Sequence, residues 1–210
     1  MRFHRASEAV DQGLHILGKQ SKLNIMSVGV IIARLQPIHN GHLELIKQAL
    51  HENEKVVLFI GSADKVNKRN PIPIKLRLYM TRQAIDETFD ANDAKRIEVI
   101  PLDDLSDEPE NNHDWGFYLY AHIVLHTLSP TFTIYYSDGF EIIMKWFPSF
   151  ASRDFISYKL NARGAMFNGL SATRVRLLIL QQDYEELKKY VPKVVMDNVD
   201  IIRHYISVIE

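Results

Sequence analysis

The stretch "VGVIIARLQPIHNGHLELI", residues 28–46, decides how the chain folds. Val28 to Ala33 is apolar at every position, the pattern of a strand covered on both faces. Leu43 to His51 then carries apolar residues at helical spacing. Strand followed by helix is the reading, and Pro37, His39, Gly41 and His42 fill the junction. A glycine between two histidines lets the backbone approach a ligand closely. A helix starting near Asn40 or Gly41 turns its open amides and the positive end of its dipole toward the space the imidazoles reach, a setting for phosphate oxygens. On spacing alone, a helix cap and a half-buried polar histidine explain the pair equally well.

Working outward, "KVVLFIG" at 55–61 repeats the strand pattern, and Pro73 suits the first turn of a helix over 74–89. "RIEVIPL" at 96–102 reads as a third strand, and an acidic, turn-rich segment follows at 103–114. A helix is expected over Trp115 to Leu128 and a strand over 131–137. A last strand falls at 154–160, followed by a helix that Ser171 or Thr173 can cap and a terminal amphipathic helix from Pro192. This alternation predicts an α/β fold: a Rossmann-like parallel sheet with helices on both faces and a helical C-terminal tail. Right-handed crossovers gather the ligand-binding loops along one sheet edge.

With 210 residues and 46% apolar content, the chain has material for one core of ordinary size. The expected division is an N-terminal extension over 1–26 and one domain over 27–210. Within the extension, Arg5 to Gln20 has the apolar points of a short amphipathic helix, weakened by Gly13. Lys and Arg total 25 against 26 Asp and Glu, so no global field draws nucleic acid or an anionic membrane, and any bound polyanion is small. The absence of cysteine excludes disulfides and thiolate metal sites. No apolar stretch approaches the roughly 20 residues of a membrane span, and the amino terminus has no signal pattern, so a cytoplasmic protein is expected. The amphipathic terminal helices offer a surface for homo-oligomer formation.

Two further clusters bear on the histidine pair. "GSADKVNKRNPIPIKLR" at 61–77 closes a strand and then supplies Lys65, Lys68, Arg69, Lys75 and Arg77, as a phosphate-facing loop or an ordinary solvated basic loop would. "GLSATRVR" at 169–176 puts Ser171, Thr173, Arg174 and Arg176 at a helix start. Hydroxyls, open amides and guanidinium groups together suit phosphate. Arg176 lies three residues after Thr173 and shares its face, whereas Arg174 turns away.

With these residues in view, "ARLQPIHNGH" and "LSATRVR" resemble the two signatures of the HxGH nucleotidyltransferases, at a fitting separation. "GSADKVNKRNPIPI" and "YYSDGFEIIMKWF" are similar to the archaeal-type nicotinamide mononucleotide adenylyltransferases, including the adenylyltransferase half of proteins with a Nudix hydrolase domain. The resemblance runs from Val28 to Tyr205, and no Nudix-like segment lies within the chain. It implies adenylyl transfer from ATP to a mononucleotide acceptor, nicotinamide mononucleotide, giving NAD and pyrophosphate, with Mg2+ carried by ATP rather than by a protein metal site. It also implies roles: His39 and His42 against the ATP phosphates, Ser171, Thr173 and Arg176 holding the β and γ phosphates, and Arg34, Gly41 and Arg77 beside them. Trp115 is then the candidate to stack on the nicotinamide ring, although a large aromatic at a helix start equally serves a core. The sequence departs from the family pattern at Ala33 for glycine, Leu35 for phenylalanine and Leu76 for glutamate. The alternatives are another phosphorylated acceptor (nicotinate mononucleotide, phosphopantetheine or a small alcohol phosphate) on the same fold, or a nucleotide sensor without turnover.

Overall fold

A computed structural model of the chain describes residues 26–104, 112–137, 140–160 and 170–209. The helix expected over Arg5 to Gln20, and the middle of the acidic segment at 105–111, lie outside the described residues. Among the described residues, five strands form one sheet: β1 (Val28–Ala33), β2 (Lys55–Ile60), β3 (Ile97–Pro101), β4 (Phe132–Tyr136) and β5 (Ile156–Leu160). Their order is β3-β2-β1-β4-β5 and every pairing is parallel. Parallel strands need long crossovers, and helices supply them here: α1 (Asn40–Glu52) leads from β1 to β2, α2 (Ile74–Thr88) and α3 (Ala91–Lys95) from β2 to β3, and α4 (Asn112–Thr127) from β3 to β4. Two short helices, α5 (Phe140–Trp146) and α6 (Ser149–Asp154), precede β5. The tail is α7 (Ala172–Gln181), α8 (Tyr184–Leu187), α9 (Lys193–Asp197) and α10 (Val199–Ile209).

The alternation along β2 shows why the sheet sits between two layers. Val56, Leu58 and Ile60 enter one core with residues of α1, α2 and the tail helices, while Val57 and Phe59 enter the other with Leu119 and Ile123 of α4. A strand buried on both faces has to be apolar throughout, as β1 is and as β2 is after its half-buried first residue, Lys55. Across the sheet, the Tyr135 hydroxyl donates to Glu52 Oε2 at 2.6 Å and accepts from Asn53 Nδ2 at 2.7 Å, tying β4 to the end of α1. Burial, with the Glu52 carboxylate beside it, raises the Tyr135 phenol well above its ordinary range.

Two local expectations change, and one unassigned stretch gains structure. Pro73 stands at the N-cap of α2 rather than inside its first turn. Residues 140–154, to which the sequence assigns no element, carry α5 and α6. The single terminal helix is two, α9 and α10, because the backbone leaves helical geometry at Asn198 (φ −110°, ψ 12°), whose side-chain Nδ2 donates to Val194 O at 2.8 Å. Among the described residues no helix is long and apolar enough to cross a membrane. The order of strands reverses direction at β1 and β4, and the crevice beyond their carboxyl ends is where open α/β sheets take ligands.

Candidate active site

That crevice opens on the turn between β1 and α1. His39 is the N-cap of α1 and is 3% exposed. Its backbone N–H donates to His42 Nδ1 at 3.2 Å, and the two rings stack with centroids 3.7 Å apart at 26°. Gly41 gives that stack room: a Cβ there would sit 3.2 Å from the Cε1 and Nδ1 of His39 and press on the ring. Because His42 Nδ1 accepts, the proton of the neutral ring belongs to Nε2, which makes that nitrogen a hydrogen-bond donor. The helix start is less open than the sequence suggested, since the Asn40 N–H donates to Tyr190 O at 2.8 Å. Asn40 Nδ2 adds a bond to Lys189 O at 3.2 Å, fastening the tail to the turn.

The second signature lies alongside. Ser171 caps α7, its side chain accepting from the Arg174 N–H at 3.2 Å. Thr173 is exposed in the first turn, and its Oγ1 accepts from Arg176 Nη2 at 3.3 Å. Arg176 Nη1 crosses to the histidine turn and donates to Gln36 O at 2.9 Å. The Leu170 side chain lies 3.7 Å from the Cβ position of Gly41, so the segments meet at two places. Arg174 faces elsewhere, its guanidinium 5.0 Å from the ring centre of Tyr190 and 3.8 Å from Glu186.

The basic loop after β2 forms the third wall. Asn67 and Asn70 exchange backbone hydrogen bonds at 3.2 and 2.8 Å, a tight turn that leaves Lys68 and Arg69 exposed at its tip. Lys68, Pro71, Thr173 and Arg176 share the lining of a cavity of about 180 Å3 with apolar residues of α7 and α10. Lys65 instead pairs with Asp64 at 3.3 Å.

Arg77 differs most from expectation. It is 0% exposed, and its guanidinium donates to the carbonyls of Arg34, Gly61 and Ser62, each at 2.8 Å. Such a residue ties the ends of β1 and β2 together from beneath and does not present its nitrogens to a ligand. Burial, helped by the charge of nearby Arg34, pulls its pKa down to about 10. Arg34 itself is exposed at the mouth of the turn. Trp115 packs in α4 against Trp146, ring centres 5.0 Å apart at 74°, as a half-buried member of the core opposite the one that α1 and α7 cover. The sequence reading overlooked Gln36, which is 2% exposed. A polar side chain between Leu35 and Pro37 in an apolar turn has to find partners, and that was the available signal.

A family model described as cytidylyltransferase-like matches residues 30–196, which takes in both signatures. The chain belongs to the cytidylyltransferase-like family. Within this family, the nicotinamide-nucleotide adenylyltransferase of Methanolobus tindarius is 30% identical over 174 residues, 81% of this chain and 86% of that protein. The nicotinamide-nucleotide adenylyltransferase of Picrophilus torridus is 35% identical over 80 residues, covering 38% of this chain and 45% of the relative. Among solved structures, a bifunctional NMN adenylyltransferase/ADP ribose pyrophosphatase from Francisella tularensis superposes with a TM-score of 0.57 at 22% identity. That match covers 75% of this chain and 43% of the Francisella protein, and it establishes the shared fold.

Proposed function

We propose that this cytidylyltransferase-like chain transfers the adenylyl group of ATP to nicotinamide mononucleotide, forming NAD and pyrophosphate. The reading rests on the 2.9 Å bond from Arg176 Nη1 to Gln36 O, which brings the histidine turn and the α7 start to one crevice. The names of its relatives support the choice of acceptor.

The acceptor's phosphate oxygen attacks the α-phosphorus in line. A new phosphorus–oxygen bond forms as the bond to the bridging oxygen breaks, and the electron pair leaves with pyrophosphate. An acceptor that is already an anion needs no strong base, so the work is positioning and charge stabilisation. His42 Nε2–H and the His39 ring donate to oxygens on which charge builds. Ser171, Thr173 and Arg176 hold the β and γ phosphates, with Lys68 across the same cavity. Arg34 supplies charge at the mouth of the turn, and Gly41 leaves room for the phosphates to come close. Among the described residues no three His, Asp or Glu side chains gather to hold a metal. Magnesium would come with the triphosphate and supply charge neutralisation there, with Ser171, Thr173 and Arg176 acting on the phosphates themselves. Trp115 contributes through the α4–α5 contact rather than by stacking on the acceptor. A cytoplasmic location suits these substrates.

The decisive experiment offers ATP, CTP and GTP to the purified chain with a panel of phosphorylated acceptors and measures pyrophosphate. Release is expected with ATP and nicotinamide mononucleotide. A higher kcat/KM with another acceptor would reassign the substrate, and saturable ATP binding without product would make the chain a binding module.

A further inference from the structure

We propose that Gln36 is a positioning residue for the triphosphate side of the site, a role that rests on the adenylyl-transfer reading above. Its side-chain amide makes two hydrogen bonds to one residue, accepting from Ile72 N–H at 2.9 Å and donating to Ile72 O at 3.3 Å. Both partners are buried, Gln36 at 2% and Ile72 at 0% exposure, so no water stands ready to replace those bonds. Its main-chain carbonyl, meanwhile, accepts from Arg176 Nη1 at 2.9 Å. One residue thus fixes two walls of one cavity. Through its side chain it sets the loop whose Lys68 and Pro71 form one wall, and through its carbonyl it aims the arginine of the other.

This arrangement differs from ordinary core packing because the peptide that orients Arg176 is held in place by the amide anchored on Ile72. Without that anchor the loop and the Gln36 peptide shift together, and Arg176 loses the acceptor that holds one of its nitrogens. The His39 and His42 stack is set by the helix start itself and stays in place. The consequence is selective: ATP binding weakens, while the chemical step and acceptor binding change little.

The test uses two variants. Gln36→Met keeps length and bulk but removes the amide, and is expected to raise the KM and calorimetric Kd for magnesium-ATP roughly tenfold, with kcat and the acceptor KM within about threefold. Gln36→Glu is isosteric, and only its protonated carboxyl can both accept from Ile72 N–H and donate to Ile72 O. Its ATP Kd should therefore approach the parent's as pH falls from about 8 to about 5.5, since burial raises a carboxyl's pKa.

An ATP Kd within about twofold of the parent in both variants at every pH overturns the proposal. So does an equal weakening of ATP and acceptor, which would mean a merely structural part. Failure of both variants to fold at any pH would assign Gln36 to folding and overturn it as well. Because binding is read without turnover, a parent that binds ATP but makes no product refutes the adenylyl-transfer reading and leaves the Gln36 result to be judged on Kd. A parent that does not bind ATP refutes both.

Discussion

At His42 the two ring nitrogens have separate tasks: Nδ1 receives the His39 N–H, and Nε2 is left to carry the proton. Replacing His42 with alanine removes one capping hydrogen bond, worth about 1 kcal/mol of stability. On the proposed reaction it would also remove a donor to the developing charge, and kcat is expected to fall by roughly 10²-fold or more. Thermal melting and steady-state kinetics on the same preparation separate the two effects; a lowered melting temperature with unchanged kcat would reduce the ring to a cap. The candidate residues that the sequence could single out are those whose neighbours in the motif lie within a few positions. His39, Gly41 and His42 share one turn, and Ser171, Thr173 and Arg176 share one helix start. Arg77 and Gln36 were not legible in that way. Arg77 looks like one more cation in a basic run until the fold turns the carbonyls of residues 34, 61 and 62 onto it. The partner of Gln36 is 36 positions away.

Among the elements, all five strands were legible, from the apolar runs of β1 and β2 to the more polar β5, whereas α5 and α6 are too short to display a helical period. Their docking depends on Gly116 in α4. A Cβ at Gly116 would lie 1.3 Å from the carbonyl oxygen of Trp146, so α4 and the end of α5 meet backbone to side-chain-free backbone. Gly116→Ala is therefore expected to force the helices apart, costing about 3 kcal/mol despite alanine's better helix propensity. Denaturant unfolding measures this directly, and a midpoint equal to the parent's would contradict the close approach. The Trp115 and Trp146 contact is part of the same joint, which explains why that tryptophan's place could not be read from its position after an acidic segment.

Over the whole molecule, the crevice draws on segments far apart in sequence: the turn after β1, the loop after β2, the start of α7, and the tail that binds Asn40 through Tyr190 O. A triphosphate held by all of them, as the proposed function requires, would bind the folded chain and not the unfolded one. Magnesium-ATP at a hundred times its Kd should add about 2.7 kcal/mol to stability, seen as a rise in melting temperature that tracks ligand concentration. Lack of a shift at saturating nucleotide would show that these segments do not share a ligand. The buried guanidinium of Arg77 adds a difference among the cations. Mobile ions gather around Lys68 and Arg69 and damp their pull as ionic strength rises, but they cannot come up against a side chain with 0% exposure. Attraction for an anion at the strand ends should therefore outlast the screening that weakens the loop, so a nucleotide bound there would keep, in concentrated salt, an electrostatic share owed to charge beneath the surface.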